Sequence, residues 1–523
     1  MSTAIATTSP THDPRPARVA PMGALVGPLL AGAVFLGAAC RPPPERFWHD
    51  EEQFRWRGLD VQGRQATGFT LLAPSKTGVS FANSLSDELA GRNSFLANGS
   101  GVALGDIDGD GLVDIYLASI QGPNALYRNL GGWHFEEVAE ARGVTAPNRH
   151  STGVVFADVD GDRDLDLLIL ALGGPNTLFL NDGTGHFRAA PHAGLDSKSG
   201  STTAALADVD RDGDLDLYVA NYKVASVTDI FPPRALKKEN TVEQTADGDY
   251  RVATRFRRHF RIERMTRRGT PVRVERAEPD RLYLNDGTGR FEPVSFTDGR
   301  FLDPDGQPLN EPPDYFALAA RFADLDGNGS PDLYVCNDFQ DPDFLWLNAG
   351  DGTFRQAPRL ALRTTSYSTM AVAFADVDRS GTLDIFQTDM LSPELSRRKR
   401  LFPVFPAPPK EVGQIDDRPQ WTRNSLFLNR GDTTLAQLAE FAGVEASDWS
   451  WGTEFVDVDL DGYEDLLIAT GHRWDHFNVD ISRQLKRGSA EVRTEASRAE
   501  LAWRIWLFAY PPLLLKNVAF RNR

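Results

Sequence analysis

The stretch Asp106-Ile107-Asp108-Gly109-Asp110-Gly111-Leu112-Val113-Asp114 decides the fold, because its pattern returns five more times. DVDGDRDLD begins at Asp158, DVDRDGDLD at Asp208, DLDGNGSPD at Asp324, DVDRSGTLD at Asp376 and DVDLDGYED at Asp457. The first three copies start 52 and 50 residues apart, and the fourth and fifth are 52 apart. The longer gaps of 116 and 81 therefore contain insertions. Short apolar segments precede the loops (Val154 to Ala157, Ala204 to Ala207, Val372 to Ala375) and follow them (Ile115 to Leu117, Leu217 to Val219, Leu333 to Val335, Leu466 to Ile468). A third segment ends at Asn129, Asn181, Asn285, Asn348 or Asn429, and a fourth opens on Phe187, Phe291 or Phe354 after a Gly turn. Four short strands in each ~50-residue unit, joined by Gly, Asp and Asn turns, predict an all-β fold whose unit is a propeller blade. The solenoid alternative has shorter repeats with fewer strands.

The loops carry the chemistry of a hard cation. In the first, Asp106, Asp108 and Asp110 stand at positions 1, 3 and 5, Asp114 at position 9, and Leu112 at position 7 offers a backbone carbonyl. The second places Asp158, Asp160, Asp162, Asp164 and Asp166 in the same frame, and the third Asp208, Asp210, Asp212, Asp214 and Asp216. The fourth has Asp324, Asp326, Asn328, Ser330 and Asp332; the fifth has Asp376, Asp378, Ser380, Thr382 and Asp384. The sixth has Asp457, Asp459, Asp461, Tyr463 and Asp465. Oxygen ligands converging from one short loop are what Ca²⁺ coordinates, so up to six ions are expected. Two carboxylates ~4 Å apart repel by ~4 kcal/mol at an effective dielectric near 20, which an ion relieves. The fourth and fifth loops hold one carboxylate fewer and are expected to bind more weakly. A solvated acidic turn explains one such loop; it does not explain six in register. An EF-hand is excluded, because position 12 holds Leu117, Ile169, Val219, Val335, Gln387 or Ile468 instead of Glu, and the flanks alternate as strands do.

Composition narrows the partners. The 523 residues carry a formal charge of −17, which six Ca²⁺ would reduce by 12, and which argues against nucleic acid as partner. Two cysteines, Cys40 and Cys336, make no disulfide scaffold. Arg15 and Arg18 precede an apolar run from Met22 to Ala39, and Gly37, Ala38 and Ala39 lead into Cys40. This resembles a bacterial lipoprotein signal with Cys40 as the lipidated residue, although Leu36 stands one place too far from it. An ordinary secretory signal or a single anchoring helix is the alternative. Each reading exports the chain: to the bacterial cell envelope and outer surface if lipid-anchored, otherwise as a secreted protein. Residues 1–40 are thus assigned to the signal, 41–77 to a Pro-rich linker and 78–523 to the propeller. Cys336 reads as a packed thiol within a strand.

With its flanking strands, the loop resembles FG-GAP or VCBS-type repeats, as found in the integrin α-chain propeller. Gly78-Val79-Ser80-Phe81, FEEVAEARGV from Phe135 and LAQLAEFAGV from Leu435 look closer to bacterial relatives of the cartilage acidic protein family. The resemblance covers ~440 residues, the extent of the repeat array. It implies a calcium-loaded, seven-bladed propeller used for extracellular recognition or adhesion. Here the Phe-Gly and Gly-Ala-Pro signatures are degenerate, and six loops are visible. The seventh blade is expected to be incomplete, begun by the segment ending at Arg523, or closed by the N-terminal segment around Phe81.

Three insertions, at about Tyr222–Asp280, Leu391–Arg423 and Arg473–Pro512, lie at one place in the repeat, between the strand after the loop and the Asn-ending strand. Strand alternation puts that connection on the face opposite the calcium loops. Arginines crowd between Arg251 and Arg276 and at Arg397, Arg398 and Arg400, with Trp421, Trp474, Trp503 and Trp506 nearby. Such a face suits an extracellular protein or an anionic glycan; equally, the arginines pair internally and the tryptophans pack the insertions down. The competing function is a propeller-based polysaccharide lyase or hydrolase using His472, Asp338 and Asp389. No Ser/His/Asp order or HExxH motif supports it, and a non-catalytic binding module is expected.

Overall fold

The computed structural model describes residues 49–50, 55–56, 69–147, 149–265, 271–339, 341–401, 418–475, 477–488 and 510–523. The export signal, Cys40, most of the linker, Trp503 and Trp506 lie outside them. Two units are distinguished, 1–65 and 66–523. In the first, His49–Asp50 pairs antiparallel with Arg55–Trp56.

The second unit contains six repeat sheets, each a meander in chain order. The first is Val102–Gly105, Asp114–Leu117, Ala125–Asn129 and Phe135–Glu137; the second is Ser151–Ala157, Asp166–Ala171, Thr177–Asn181 and Phe187–Ala189. The third joins Ser201–Ala207 and Asp216–Asn221 to Arg281–Asn285 and Phe291–Val294 across the first insertion. The fourth is Phe316–Ala323, Asp332–Asp338, Phe344–Asn348 and Phe354–Gln356, with Phe301–Leu302 added in parallel at its outer edge. The fifth is Ala371–Ala375, Asp384–Thr388, Ser425–Asn429 and Leu435–Gln437; the sixth is Ser450–Val456, Asp465–Thr470 and Val518–Phe520.

Period-2 alternation explains how the sheets stack. In the second blade, Leu167 and Ile169 pack with Tyr116 and Leu126 of the first, while Leu168 and Leu170 pack with Leu217 and Val219 of the third. A second strand buried on both faces therefore reads as a continuous apolar run, which Asp166–Ala171 is. Tyr218 and Leu282 meet Leu333 and Trp346 at the next junction, Tyr334 and Cys336 meet Ile385 and Phe427, and Phe386 meets Leu466 and Ile468. Each fully buried Leu, Ile or Phe contributes ~1.5–3 kcal/mol. Cys336 is a buried, free thiol in this packing, as its place in a strand implied. Residues from the innermost strands of blades two to six, with Ser100 and Gly101 just ahead of the first blade's, line a central cavity of 400 Å³.

The arrangement is a β-propeller, but the described residues form six blades rather than seven. Five junctions have apolar cores; among the described residues no core cluster joins the sixth blade to the first. Val102 and Leu104, on the first blade's outward-turned side, are 57% and 63% exposed. Nor does the segment around Phe81 build a further blade. It is held against the first one: Gly78 sits at φ +80°, and a Cβ there would lie 2.3 Å from the carbonyl oxygen of Phe135. Gly194 bears the same relation to Phe291. Gly78 is therefore the linker glycine of the repeat, fixed by close backbone approach and a left-handed φ.

Candidate metal centres

The six loops share one backbone path. Positions 4 and 6 are left-handed in every copy: Gly109 and Gly111, Gly161 and Arg163, Arg211 and Gly213, Gly327 and Gly329, Arg379 and Gly381, Leu460 and Gly462. Two such residues per loop fold the acidic positions inward, and glycine supplies eight of the twelve without Cβ strain. Position 1 braces the turn: one oxygen of Asp106, Asp158, Asp208, Asp324, Asp376 or Asp457 accepts the position-6 N–H at 2.8 to 3.1 Å.

Position 9 ties each loop to its blade. Asp114 accepts the N–H of Ile107 at 3.1 Å and of Asn129 at 2.7 Å, and Asp166, Asp216, Asp332, Asp384 and Asp465 repeat both bonds. Burial pushes Asp114, Asp166, Asp216 and Asp384 up to about 6 and Asp332 to about 7. Neighbouring loop carboxylates add to that rise.

The carboxylates of positions 1, 3 and 9 gather in one place. Asp106, Asp108 and Asp114 offer oxygens all within 4.8 Å of one another, as do Asp158, Asp160 and Asp166, Asp208, Asp210 and Asp216, Asp324, Asp326 and Asp332, and Asp376, Asp378 and Asp384. Position 5 is turned to the backbone instead: Asp110, Asp162, Asp212, Asn328 and Asp461 accept the N–H of position 7. At position 7, Asp164 and Asp214 flank Gly183 and Gly287 of the next turn, and Ser330 and Thr382 hydrogen-bond through their hydroxyls. Asp108, Asp160, Asp208, Asp210 and Asp459 each keep a solvent-shielded Oδ1 that accepts no hydrogen bond. Buried, unpartnered oxygens on four of the residues that form these clusters, Asp108, Asp160, Asp208 and Asp210, fit a divalent cation such as Ca²⁺.

One partner set escaped sequence reasoning. In blades two to six the Asn that follows or ends the third strand donates its amide to a carbonyl of the preceding blade: Asn181 to Ile107, Asn285 to Val159, Asn348 to Val209, Asn429 to Leu325 and Asn522 to Val377, at 2.7 to 3.0 Å. The recurring Asn was the available signal; its bond spans two repeats and is invisible within one.

The insertions meet one another. Arg261 of the first pairs with Asp314 and with Asp341 of the fourth blade's turn, and Gln420 of the second donates to the Asp341 carbonyl. Arg397 of the second pairs with Asp448 and with Asp475 of the third, and Leu401 bridges to Asn478. Arg276 joins Asp314, Arg251 joins Glu243, and Arg398 joins Glu445. Much of the basic cluster is thus consumed internally. Arg234, Arg257, Arg258, Lys399 and Arg400 remain exposed, as does Trp421, at 43%.

The three residues considered for catalysis have structural partners. Asp338 accepts from the Tyr222 hydroxyl at 2.7 Å, and Asp389 accepts the N–H of Tyr367 and Ser368. His472 stacks on Trp449 with ring centroids 4.1 Å apart, and burial lowers its pKa.

An FG-GAP-like repeat model matches residues 106–169, 158–219 and 324–386. Cartilage acidic protein 1 of Mus musculus is 35% identical over 82 residues, which is 16% of this chain and 13% of that protein. The match thus spans about an eighth of the relative's length. Among solved structures, an Agrocybe aegerita lectin that recognises non-reducing terminal N-acetylglucosamine aligns at TM-score 0.28 and 17% identity, covering 64% of this chain and 77% of the lectin. An ancestral GH74 enzyme aligns at TM-score 0.34 and 12% identity, over 72% of this chain and 36% of its own. Likenesses at that level add nothing to the strand order given above.

Proposed function

We propose that this chain, a β-propeller carrying FG-GAP-like repeats, is an exported calcium-loaded recognition module whose insertion face binds an extracellular protein or an anionic glycan. The observation that carries the reading is the repetition of one acidic cage in register around the ring, with orphaned oxygens buried inside it. A rigid scaffold with variable connections gathered on one side is the usual arrangement for binding loops. Asp338, Asp389 and His472 being engaged in packing favours binding over turnover. On the insertion face, Arg257, Arg258, Lys399 and Arg400 supply exposed positive charge on an otherwise acidic chain, which steers an anionic partner.

The test is retention of the purified chain on immobilised anionic glycans and candidate acidic proteins, in calcium and in chelator, with product analysis for bond cleavage. Calcium-dependent retention without cleavage, weakened in an Arg257→Glu/Arg258→Glu variant, is the expected result. Cleavage of any glycan that is lost in His472→Ala would reverse the assignment.

A further inference from the structure

We infer that Arg128 and Arg521 are tethered counter-cations that divide the six loops into two classes, the first and sixth being neutralised in part by the chain itself. The inference rests on the calcium reading above and deepens it. Both arginines occupy the same place in the repeat, immediately before the Asn that ends the third strand. That residue's position over the loop is imposed by the fold, because the following N–H is pinned to position 9: Asn129 to Asp114 at 2.7 Å and Asn522 to Asp465 at 2.9 Å.

The contacts are the same in both blades. Arg128 Nε lies 2.5 Å from Asp108 Oδ2, and one of its terminal nitrogens 3.2 Å from Asp110 Oδ2. A terminal nitrogen of Arg521 lies 2.5 Å from Asp459 Oδ2 and 3.0 Å from Asp461 Oδ2. Each guanidinium therefore bridges positions 3 and 5, Arg128 through two nitrogens and Arg521 through one, placing a positive charge against both carboxylates. Asp108 is a cage residue whose side chain is only 9% exposed, and its other oxygen has no partner. In blades two to five the equivalent residue is Leu180, Leu284, Leu347 or Leu428, which brings no charge. Arg300 is within electrostatic reach of Asp210 but makes no ion pair with it.

A cation in the cage and a guanidinium on the same carboxylates compete for one negative charge. The first and sixth loops, with four carboxylates each, should accordingly bind Ca²⁺ more weakly than the second and third, which carry no guanidinium on positions 3 and 5 and add a fifth carboxylate at Asp164 and Asp214. They should also hold their shape better without it. Calorimetric Ca²⁺ titration and thermal melting of the full chain test this, comparing the native protein with Arg128→Leu/Arg521→Leu and with Arg128→Lys/Arg521→Lys. The expected result is that the Leu variant gains affinity by about tenfold or more at two sites and melts below the native chain in chelator, while the Lys variant stays near native in both. Should the double Leu variant not fold, Arg521→Leu alone carries the same expectation for one site. An unchanged isotherm and unchanged chelator melting, or weaker calcium uptake in the Leu variant, would overturn the inference and leave the calcium reading intact. No Ca²⁺ uptake by the native chain would overturn both.

Discussion

Asp280 and Asp343 stand where the first two blades use Asn124 and Asn176. All four side chains accept a backbone N–H at the end of a second strand: Asn221 to Asp280, Asn337 to Asp343, Ser119 to Asn124 and Ala171 to Asn176. An amide does this without charge, whereas burial drives each carboxyl up to about 7. The folded-state value lies above the unfolded one of 3.8. The stability these groups contribute is therefore complete below about pH 4 and is lost as pH rises through about 7. Asp280→Asn should flatten that decline, since the Asn124 amide shows how an Asn can bond the adjoining tyrosine hydroxyl, at 2.9 Å to Tyr116. Urea midpoints at pH 5 and pH 8 in saturating calcium should show the variant gaining ~1–3 kcal/mol at the higher pH only. An equal change at both pH values would mean that the carboxyl is not titrating.

At the scale of the element, the asparagine clasp is the part of the blade that reaches its neighbour. Asn181 donates both to Ile107 of the preceding blade and to Leu165 of its own; Asn129 donates to Val113 within its own blade. Asn181→Ala should cost ~2–3 kcal/mol, because it strands a buried carbonyl in the preceding blade and a part-buried one in its own, and Asn129→Ala ~1 kcal/mol or less. Equal losses on chemical denaturation would show that the inter-blade bond contributes nothing. The contrast also marks what was legible in the sequence. Strands, loops and the candidate ligand positions 1, 3 and 9 were readable because each is set by local periodicity, and the recurring Asn was seen as a boundary. Its role was hidden, because its acceptor lies 74 residues away. The fate of the arginines was hidden for the same reason. Arg261 finds Asp314 and Asp341 at separations of 53 and 80 residues, and composition offered binding and internal pairing on equal terms. Arg261→Met, which removes the ion pair to Asp341 and leaves Asp314 with Arg276 alone, should loosen the insertions by ~3 kcal/mol, seen as new proteolytic cleavage within 222–280. An unaltered digestion pattern would show that the pair does not hold the insertion down.

On the scale of the whole molecule, the loops and the cores do different work. Apolar junctions hold successive blades together; the acidic cages, each with several carboxylates and few counter-charges, carry a repulsion that a bound cation would relieve. Position 9 links the two in blades two to six, since each Asp there accepts from its own loop and from the Asn whose side chain clasps the blade before. On the proposed reading, Ca²⁺ bound at one of these loops would therefore firm up a junction as well as a turn. A site at a hundredfold excess of ion over its dissociation constant contributes ~2.7 kcal/mol, so several sites together are expected to rival the ordinary net stability of a domain, ~5–15 kcal/mol. Chelator should lower the melting temperature by many degrees, and added Ca²⁺ should restore it. Hydrogen exchange should quicken first at Ile107, Val159, Val209, Leu325 and Val377, whose amides are held by position 9, rather than in the doubly buried second strands. A melting temperature indifferent to chelator would mean that the cages are stable as empty acidic turns, and that the blades stand on their cores alone.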